Sequence, residues 1–297
     1  MKNLGIRLAI ALFKLLALLP LSILQSVGAI LGLFMWSLNG ASRQITEENL
    51  RLCFPELTAL QQQQLARERL RQLGILGLEL AYVWQRSVLD VLATISVVRG
   101  KALINDAIAK GNGVILLIPH IGNWEVLGNY IGHHFSTTAM FQPSDNQALD
   151  AMIRRSRERC GSTLVPTNTS GVKKLLRALK GGECVAILPD QVPPKGSGIF
   201  APFFKLPALT MTLVYNLVQR TGASVVVGYA RRMDDGSFEM VFEAVADNIS
   251  SADELSSVCA LNAAVEQCVN KIPEQYQWEY KRFRKQPQGA KKYYQKK

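Results

Sequence analysis

GVILLIPHIGNWEVLGNYIG, Gly113 to Gly132, is the stretch from which the fold can be read. Its first seven residues form an unbroken apolar run closed by Pro119, the pattern of a short strand buried on both faces. From Trp124 onward the apolar positions return at helical spacing. A strand that feeds a helix through a brief polar turn is the repeating unit of an α/β sheet, and the turn here carries His120, Gly122 and Asn123.

Similar short runs follow at intervals: STTAMF from Ser136, TLVP from Thr163, ECVAILP from Glu183, SVVVGYA from Ser224 and FEMVFEAV from Phe238. Helical patterns separate most of them, which predicts a mixed, largely parallel sheet flanked by helices. The last two runs, joined through Met233-Asp234-Asp235-Gly236, read as an antiparallel hairpin. Upstream, Thr46 to Leu89 reads as two helices with a boundary at Pro55 and Thr58. The leucines at 65, 70, 73, 76 and 80 form a core stripe.

No charged residue lies between Lys14 and Arg43, and Leu15 to Trp36 is long enough as a helix to cross a hydrocarbon core of ~30 Å. An N-terminal membrane helix is therefore expected, with residues 1–43 as the anchor, 44–285 as the catalytic domain and 286–297 as a basic tail. The apolar stretch exceeds the ~7–15 residues of a signal-peptide core, which favours an anchor over a cleaved leader. Pro20 and Gln25 also fit a helix that is broken or lies in the interface. Lys2, Arg7 and Lys14 before the segment nearly balance Arg43 and Arg51 after it, so the charge rule leaves its orientation open.

The chain carries 34 basic and 23 acidic residues among 297, a net charge of +11, and Lys281 to Lys297 holds eight basic residues and no acid. Such a tail suits either solvent or an anionic membrane surface. Nucleic-acid binding is disfavoured, because there is no basic helix interleaved with aromatics and no zinc-ligand spacing. Five cysteines (Cys53, Cys160, Cys184, Cys259 and Cys268), with no CxxC pair, read as reduced core residues facing a reducing compartment.

Three polar clusters carry the chemistry. His120 stands at the end of a strand, where α/β folds place their sites, and Gly122 and Asn123 permit a tight turn that returns Glu125 toward the imidazole. A carboxylate there would orient the ring and stabilise its charged form. The spacing alone also fits a core histidine bonded to a backbone carbonyl. His133 and His134 lie nearby, but no acid or cysteine spacing completes a metal site. The second cluster is Arg154, Arg155, Arg157 and Arg159 on a helix after FQPSDN, arginines being suited to phosphates and carboxylates. The third is the loop PDQVPPKGSG, where Asp190 stands ready to position Lys195, an arginine or substrate. No GxSxG elbow, Walker loop or GxGxxG turn is present.

In this order ENLRLCFPEL (Glu48–Leu57), HIGNWE (His120–Glu125), the Asp150–Gly161 stretch, PDQ (Pro189–Gln191) and PEQYQW (Pro273–Trp278) resemble the late acyltransferases of lipid A biosynthesis. This is the lauroyl/myristoyl transferase family with a His-x-x-x-x-Asp/Glu motif. The resemblance implies an inner-membrane enzyme, its active domain on the cytoplasmic side. It would move a fatty acyl chain from acyl carrier protein to a hydroxyl of a lipid A precursor, with no metal or organic cofactor. His120 would be the general base and Glu125 its orienting carboxylate, with backbone N–H groups of Gly122 and Asn123 as the oxyanion donors. Arg157, Arg159, Asp190 and Gln191 would bind substrate. The sequence departs from the family pattern at Gln142, Gln147 and Glu279–Arg282. These departures keep other acceptors in view: a lyso-phospholipid, an aminolipid or another glycolipid. A lipid-binding protein without catalysis is the non-enzyme alternative.

Overall fold

The computed structural model describes residues 11–143 and 146–294. Helices α1 (Leu21–Ser37), α2 (Ala41–Cys53), α3 (Ala59–Gln85) and α4 (Val88–Leu92) precede a run of alternating strands and helices. That run is β1 (Ile95–Arg99), α5 (Lys101–Ala109), β2 (Val114–Leu117), α6 (Trp124–His134), β3 (Thr137–Phe141), α7 (Gln147–Arg159), β4 (Thr163–Pro166), α8 (Thr169–Lys180) and β5 (Cys184–Ile187). A hairpin of β6 (Gly198–Phe203) and β7 (Leu206–Met211) follows, then α9 (Leu213–Thr221), β8 (Ser224–Arg232), β9 (Phe238–Ala244) and α10 (Glu254–Lys271).

The expected α/β architecture is present. Seven strands form one sheet in the order β1-β9-β8-β2-β5-β3-β4, parallel throughout except for the antiparallel β8–β9 pair. β2 sits centrally with all four residues buried, since Ile115 and Leu117 join a core with α2, α8, α9 and α10 while Val114 and Leu116 join one with α4, α5 and α6. Burial on both faces is why GVILLIP shows no polar alternation. Strand β1 and the β6–β7 hairpin were not anticipated. Val97–Arg99 alternates poorly, and β6–β7 forms a separate two-stranded sheet inside a Gly/Pro-rich stretch that reads as loop.

The Thr46–Leu89 region forms two long helices, α2 and α3, as expected, and Thr58 caps α3 through a reciprocal box with Gln61. The continuous anchor helix read from Leu15 to Trp36 is corrected. Residues 11–16 are helical, the chain breaks before Pro20, and α1 starts at Leu21, because a proline cannot donate within a helix and is tolerated only at its start. Among the described residues no single helix is long and apolar enough to cross a membrane, although α1 and α2 together, bent by 82°, reach the length and composition of one broken span. The basic end also differs from a purely solvated tail: the Tyr294 hydroxyl donates to Asn49 at 2.5 Å and accepts from the Phe283 backbone at 3.2 Å.

Candidate active site

β2 and β5 pair in parallel with Leu117 opposite Ile187, and the next backbone rung runs from Ile118 N–H to the Ile187 carbonyl at 2.8 Å. Three positions beyond that pair, after Pro119 and Pro189, the two chains present His120 and Asp190 at the same edge of the sheet. The imidazole Nδ1 lies 2.8 Å from Asp190 Oδ1, and Asp190 Oδ2 accepts the backbone N–H of His120 at 2.9 Å. One carboxylate thus holds both the ring and the turn that carries it. Burial pushes the Asp190 carboxyl up, but the His120 charge and the hydrogen bonds from His120 outweigh burial and leave it below its ordinary value.

With a proton held on Nδ1 by Asp190, the lone pair falls on Nε2, and the Gln191 side-chain amide reaches it at 3.2 Å. Gln191 also donates to Gln277 at 3.1 Å, and Trp124 packs edge-on to the imidazole with centroids 5.0 Å apart. Behind Asp190 lie two buried groups that the sequence reading passed over. The Tyr276 hydroxyl is pushed well up by burial and by the Asp190 charge, while burial pulls Arg282 down. Arg282 donates through Nη1 to the Leu209 carbonyl at 2.6 Å and through Nη2 to Thr210 at 2.8 Å.

Glu125 occupies a different place from the one expected. Its carboxylate, 4 % exposed, is forked by Arg157, with Nη2 to Oε1 at 2.5 Å and Nε to Oε2 at 3.2 Å. The carboxylate beside the imidazole is Asp190, not Glu125. The physical reason is the direction of α6: Glu125 lies in its first turn and projects toward α7, while the paired strand brings Asp190 to the ring. For Arg157, burial lowers the pKa, but the Glu125 charge and hydrogen bond outweigh it and raise it. Asp190 likewise engages His120 rather than Lys195 or an arginine.

The proposed oxyanion donors are also corrected. Gly122 N–H donates to the Gln275 carbonyl at 3.0 Å and Asn123 N–H to the Ala230 carbonyl at 2.9 Å, so both are committed to the scaffold. Gly122 is required where it stands: its φ is +59°, and a Cβ there would lie 1.8 Å from the Ala230 carbonyl oxygen. The Asn123 side chain caps α6 by accepting from Val126 N–H at 3.2 Å and donates to Glu79 at 2.9 Å. Glu79, fully buried, also receives Gln25 from α1 at 2.8 Å and a fork from Arg232 of β8, so one carboxylate ties three elements to the His120 turn. The segment after α10 straps the other side, where Gln277 N–H donates to the His120 carbonyl at 3.0 Å and Ile121 bridges to Tyr276.

A narrow apolar slot of ≈ 50 Å³ opens beside these groups, walled by Ile118, Trp124, Ile131, Ala139, Met140 and Leu188, with Glu125 and Arg157 also lining it. A larger groove of ≈ 660 Å³ between α1, α3 and the β8–β9 turn is charged, and neither His120, Asp190 nor Glu125 lines it. The smaller cavity is the one next to the pair: Trp124 on its wall packs against the His120 ring, and Glu125 and Arg157 line it. Arg159 is directed to the Val83 carbonyl at 3.3 Å, Arg154 pairs with Glu158 at 3.6 Å, and His134 bonds the Tyr130 carbonyl through Nδ1 at 2.9 Å. These three stand apart from the His120 pair. A sequence signal for Asp190 existed: VILLIPH from Val114 and CVAILPD from Cys184 align residue for residue as a buried strand, a proline and a polar group.

The profile of the family described as bacterial lipid A biosynthesis acyltransferase matches residues 2–285. The lipid A biosynthesis lauroyltransferase of Escherichia coli K12 is 26 % identical over 285 residues, covering 95 % of this chain and 92 % of that protein. The palmitoleoyltransferase of the same organism is 26 % identical over 278 residues, covering 93 % and 90 %. A lipid A biosynthesis acyltransferase of Haemophilus influenzae is 26 % identical over 287 residues, covering 94 % and 90 %. A strand-end histidine backed by a buried carboxylate, beside an apolar slot and inside a match that spans nearly the whole sequence, identifies the chain as a member of the bacterial lipid A biosynthesis acyltransferase family.

Proposed function

We propose that this acyltransferase moves a fatty acyl chain from an acyl carrier protein thioester to a hydroxyl of a lipid A precursor, at the cytoplasmic face of the inner membrane. The observation that carries the mechanism is the His120–Asp190 pair, with Nδ1 held at 2.8 Å and Nε2 turned toward Gln191. Nε2 takes the proton of the acceptor hydroxyl as its oxygen attacks the thioester carbonyl, and Asp190 stabilises the imidazolium so formed. The tetrahedral oxyanion then collapses, the C–S bond breaks, and the imidazolium returns the proton to the leaving thiolate.

Gln191 must leave Nε2 for the acceptor to reach it, and its amide is then free to donate to the oxyanion. The slot has the apolar walls a hydrocarbon chain needs, and at ≈ 50 Å³ it must widen to admit one. Glu125 acts through Arg157: it holds the guanidinium at the slot, where a planar cation can meet an acceptor phosphate or the oxyanion. In this reading the acid of the HIGNWE motif places a cation, and the acid of PDQ serves the base.

The test is thioester turnover by purified wild type, Asp190→Asn and Glu125→Ala, with and without tetra- or hexa-acylated lipid A precursors, read by mass spectrometry. Precursor-dependent turnover that both variants lose supports the reading. Thiol release with no chain added to the precursor redirects the search to a lyso-phospholipid, aminolipid or other glycolipid acceptor. Absence of any turnover by wild type would overturn catalysis and leave lipid binding.

A further inference from the structure

The long exposed apolar side chains of this protein are concentrated at one place. Ile23, Val27, Ile30, Leu31 and Phe34 recur at three- and four-residue spacing along α1, with Leu38 just past its end, and Ile30 is 67 % and Phe34 58 % exposed. Leu12, Leu15 and Leu18 extend the exposed surface upstream. The opposite side of α1 is a seam. Leu24, Gly28 and Gly32 are buried, and α1 runs antiparallel to α3: Gln25 meets Glu79, Gly28 meets Gly74 and Ile75, and Gly32 meets Leu70 and Arg71. The backbones touch there. A Cβ on Gly74 would lie 2.2 Å from the Gly28 carbonyl oxygen, and one on Gly32 would lie 2.2 Å from the Leu70 oxygen. Farther up, Arg86 at the end of α3 donates to the Leu18 carbonyl at 3.0 Å, and Phe13 stacks on Trp84 at 6.0 Å.

A third side of α1, with Ser22, Gln25 and Ser26, walls the charged groove that holds Glu68, Arg71, Arg231 and Asp235. These three sides conflict with a helix crossing the bilayer. Since α1 is seamed to α3 along its length, a crossing α1 would carry Glu68, Arg71 and the groove into hydrocarbon, where charges are strongly disfavoured. At 17 residues it also measures about 25 Å, less than a ~30 Å core. A helix parallel to the surface meets every constraint: the stripe enters lipid while the seam and groove stay on the protein side. The charge fits the same partner. No acid occurs before Glu47, whereas Lys2, Arg7, Lys14 and Arg43 are basic, and Arg43 stacks on Trp36 at 3.7 Å, an aromatic and cation pair suited to the headgroup level.

We propose that the exposed stripe of α1 is a monotopic docking surface for one leaflet of an anionic bilayer, with the glycine seam to α3 fixing the catalytic domain against that leaflet. This deepens the membrane location proposed above and rests on it. It also makes the residues after α1 part of the docked body, because α1 turns through 82° into α2 instead of continuing outward.

The test places an environment-sensitive fluorophore on single cysteines at Ile23, Ile30 or Phe34 on the stripe, and at Ser22 or Ser26 in the groove, in the full chain carrying Cys259→Ser. Vesicles of phosphatidylethanolamine and phosphatidylglycerol carry quenchers at a shallow or a deep acyl position. The expected result is equal quenching of the three stripe positions, stronger by the shallow quencher, with the groove positions untouched. Ile30→Glu and Phe34→Glu should each lower vesicle partitioning by about tenfold, since each removes the burial of one large apolar side chain. Quenching that deepens toward the middle of α1 and includes Ser26 would establish a crossing span and overturn the proposal. Stripe probes shielded from both quenchers, in a protein that self-associates, would overturn it in favour of a protein interface. The quenching pattern does not depend on acyl transfer, so loss of the enzymatic reading would leave this result standing.

Discussion

Replacing Asp190 with asparagine separates the chemistry from the packing. Asp190 is 3 % exposed and accepts two hydrogen bonds, from the imidazole Nδ1 at 2.8 Å and from the His120 backbone N–H at 2.9 Å. Asparagine keeps the shape but has one acceptor and one donor group. If its NH₂ faces the backbone N–H, two donors meet in a buried site, at roughly 1–3 kcal/mol. If its NH₂ faces Nδ1, the ring proton moves to Nε2 and no lone pair remains to receive the acceptor proton. General-base catalysis is worth about 10²–10⁴ in rate, and a wrong imidazole tautomer lies near the top of that range. The expected outcome is kcat lower by ~10²–10⁴ with KM little changed, because the buried carboxylate is shielded from substrate. Steady-state acyl transfer to the lipid precursor reads kcat and KM, and a thermal melt confirms that the variant is folded. A folded Asp190→Asn enzyme within threefold of wild-type kcat would refute the assignment of Asp190 as the carboxylate serving His120.

Glu79→Ala leaves Arg232 buried without its carboxylate, and should destabilise the protein by about 3–5 kcal/mol, a fall in Tm on the order of 10 °C by scanning fluorimetry. Gly122→Ala must move the His120 turn away from Ala230, and is expected to lower kcat at least about tenfold with a smaller change in Tm, checked by kinetics and melting in parallel. Asp190 has a folded-state pKa below its ordinary 3.8, so its stabilisation is full above that value and disappears as pH falls through the lower folded value; acid unfolding of wild type and Asp190→Asn should therefore diverge above pH 4 and converge below it. Burial pushes the Cys184 and Cys268 thiols up to about 12 and Cys53 well up, so a thiol reagent at pH 8 should leave these three unmodified in the native protein and reach them after denaturation.

The α/β class was legible because apolar runs buried on both faces of a parallel sheet, separated by helical periods, admit few other readings. β2 through β5 and the β8–β9 hairpin all stand where their composition placed them. His120 was legible for the same reason, as the polar residue at the end of a buried strand. β1 and the β6–β7 hairpin were not, since weak alternation and glycine or proline content hide a strand whose pairing comes from distant residues.

The partner of His120 was beyond local reading. Proximity along the chain favoured Glu125, but a helix carries its first-turn carboxylate away from the preceding strand, and Arg157 from α7 takes it. The strand pairing of β2 with β5 supplies Asp190 from seventy residues away. The backbone donors of the turn were likewise claimed by Gln275 and Ala230, which no spacing in HIGNWE reveals. Local sequence determined where strands end, which residues are apolar and which turn needs a glycine, because those follow from backbone sterics and burial within a few residues. Tertiary structure alone decided which carboxylate pairs with His120 and which face of the N-terminal helix remains exposed, because both depend on register and packing between segments far apart in the chain.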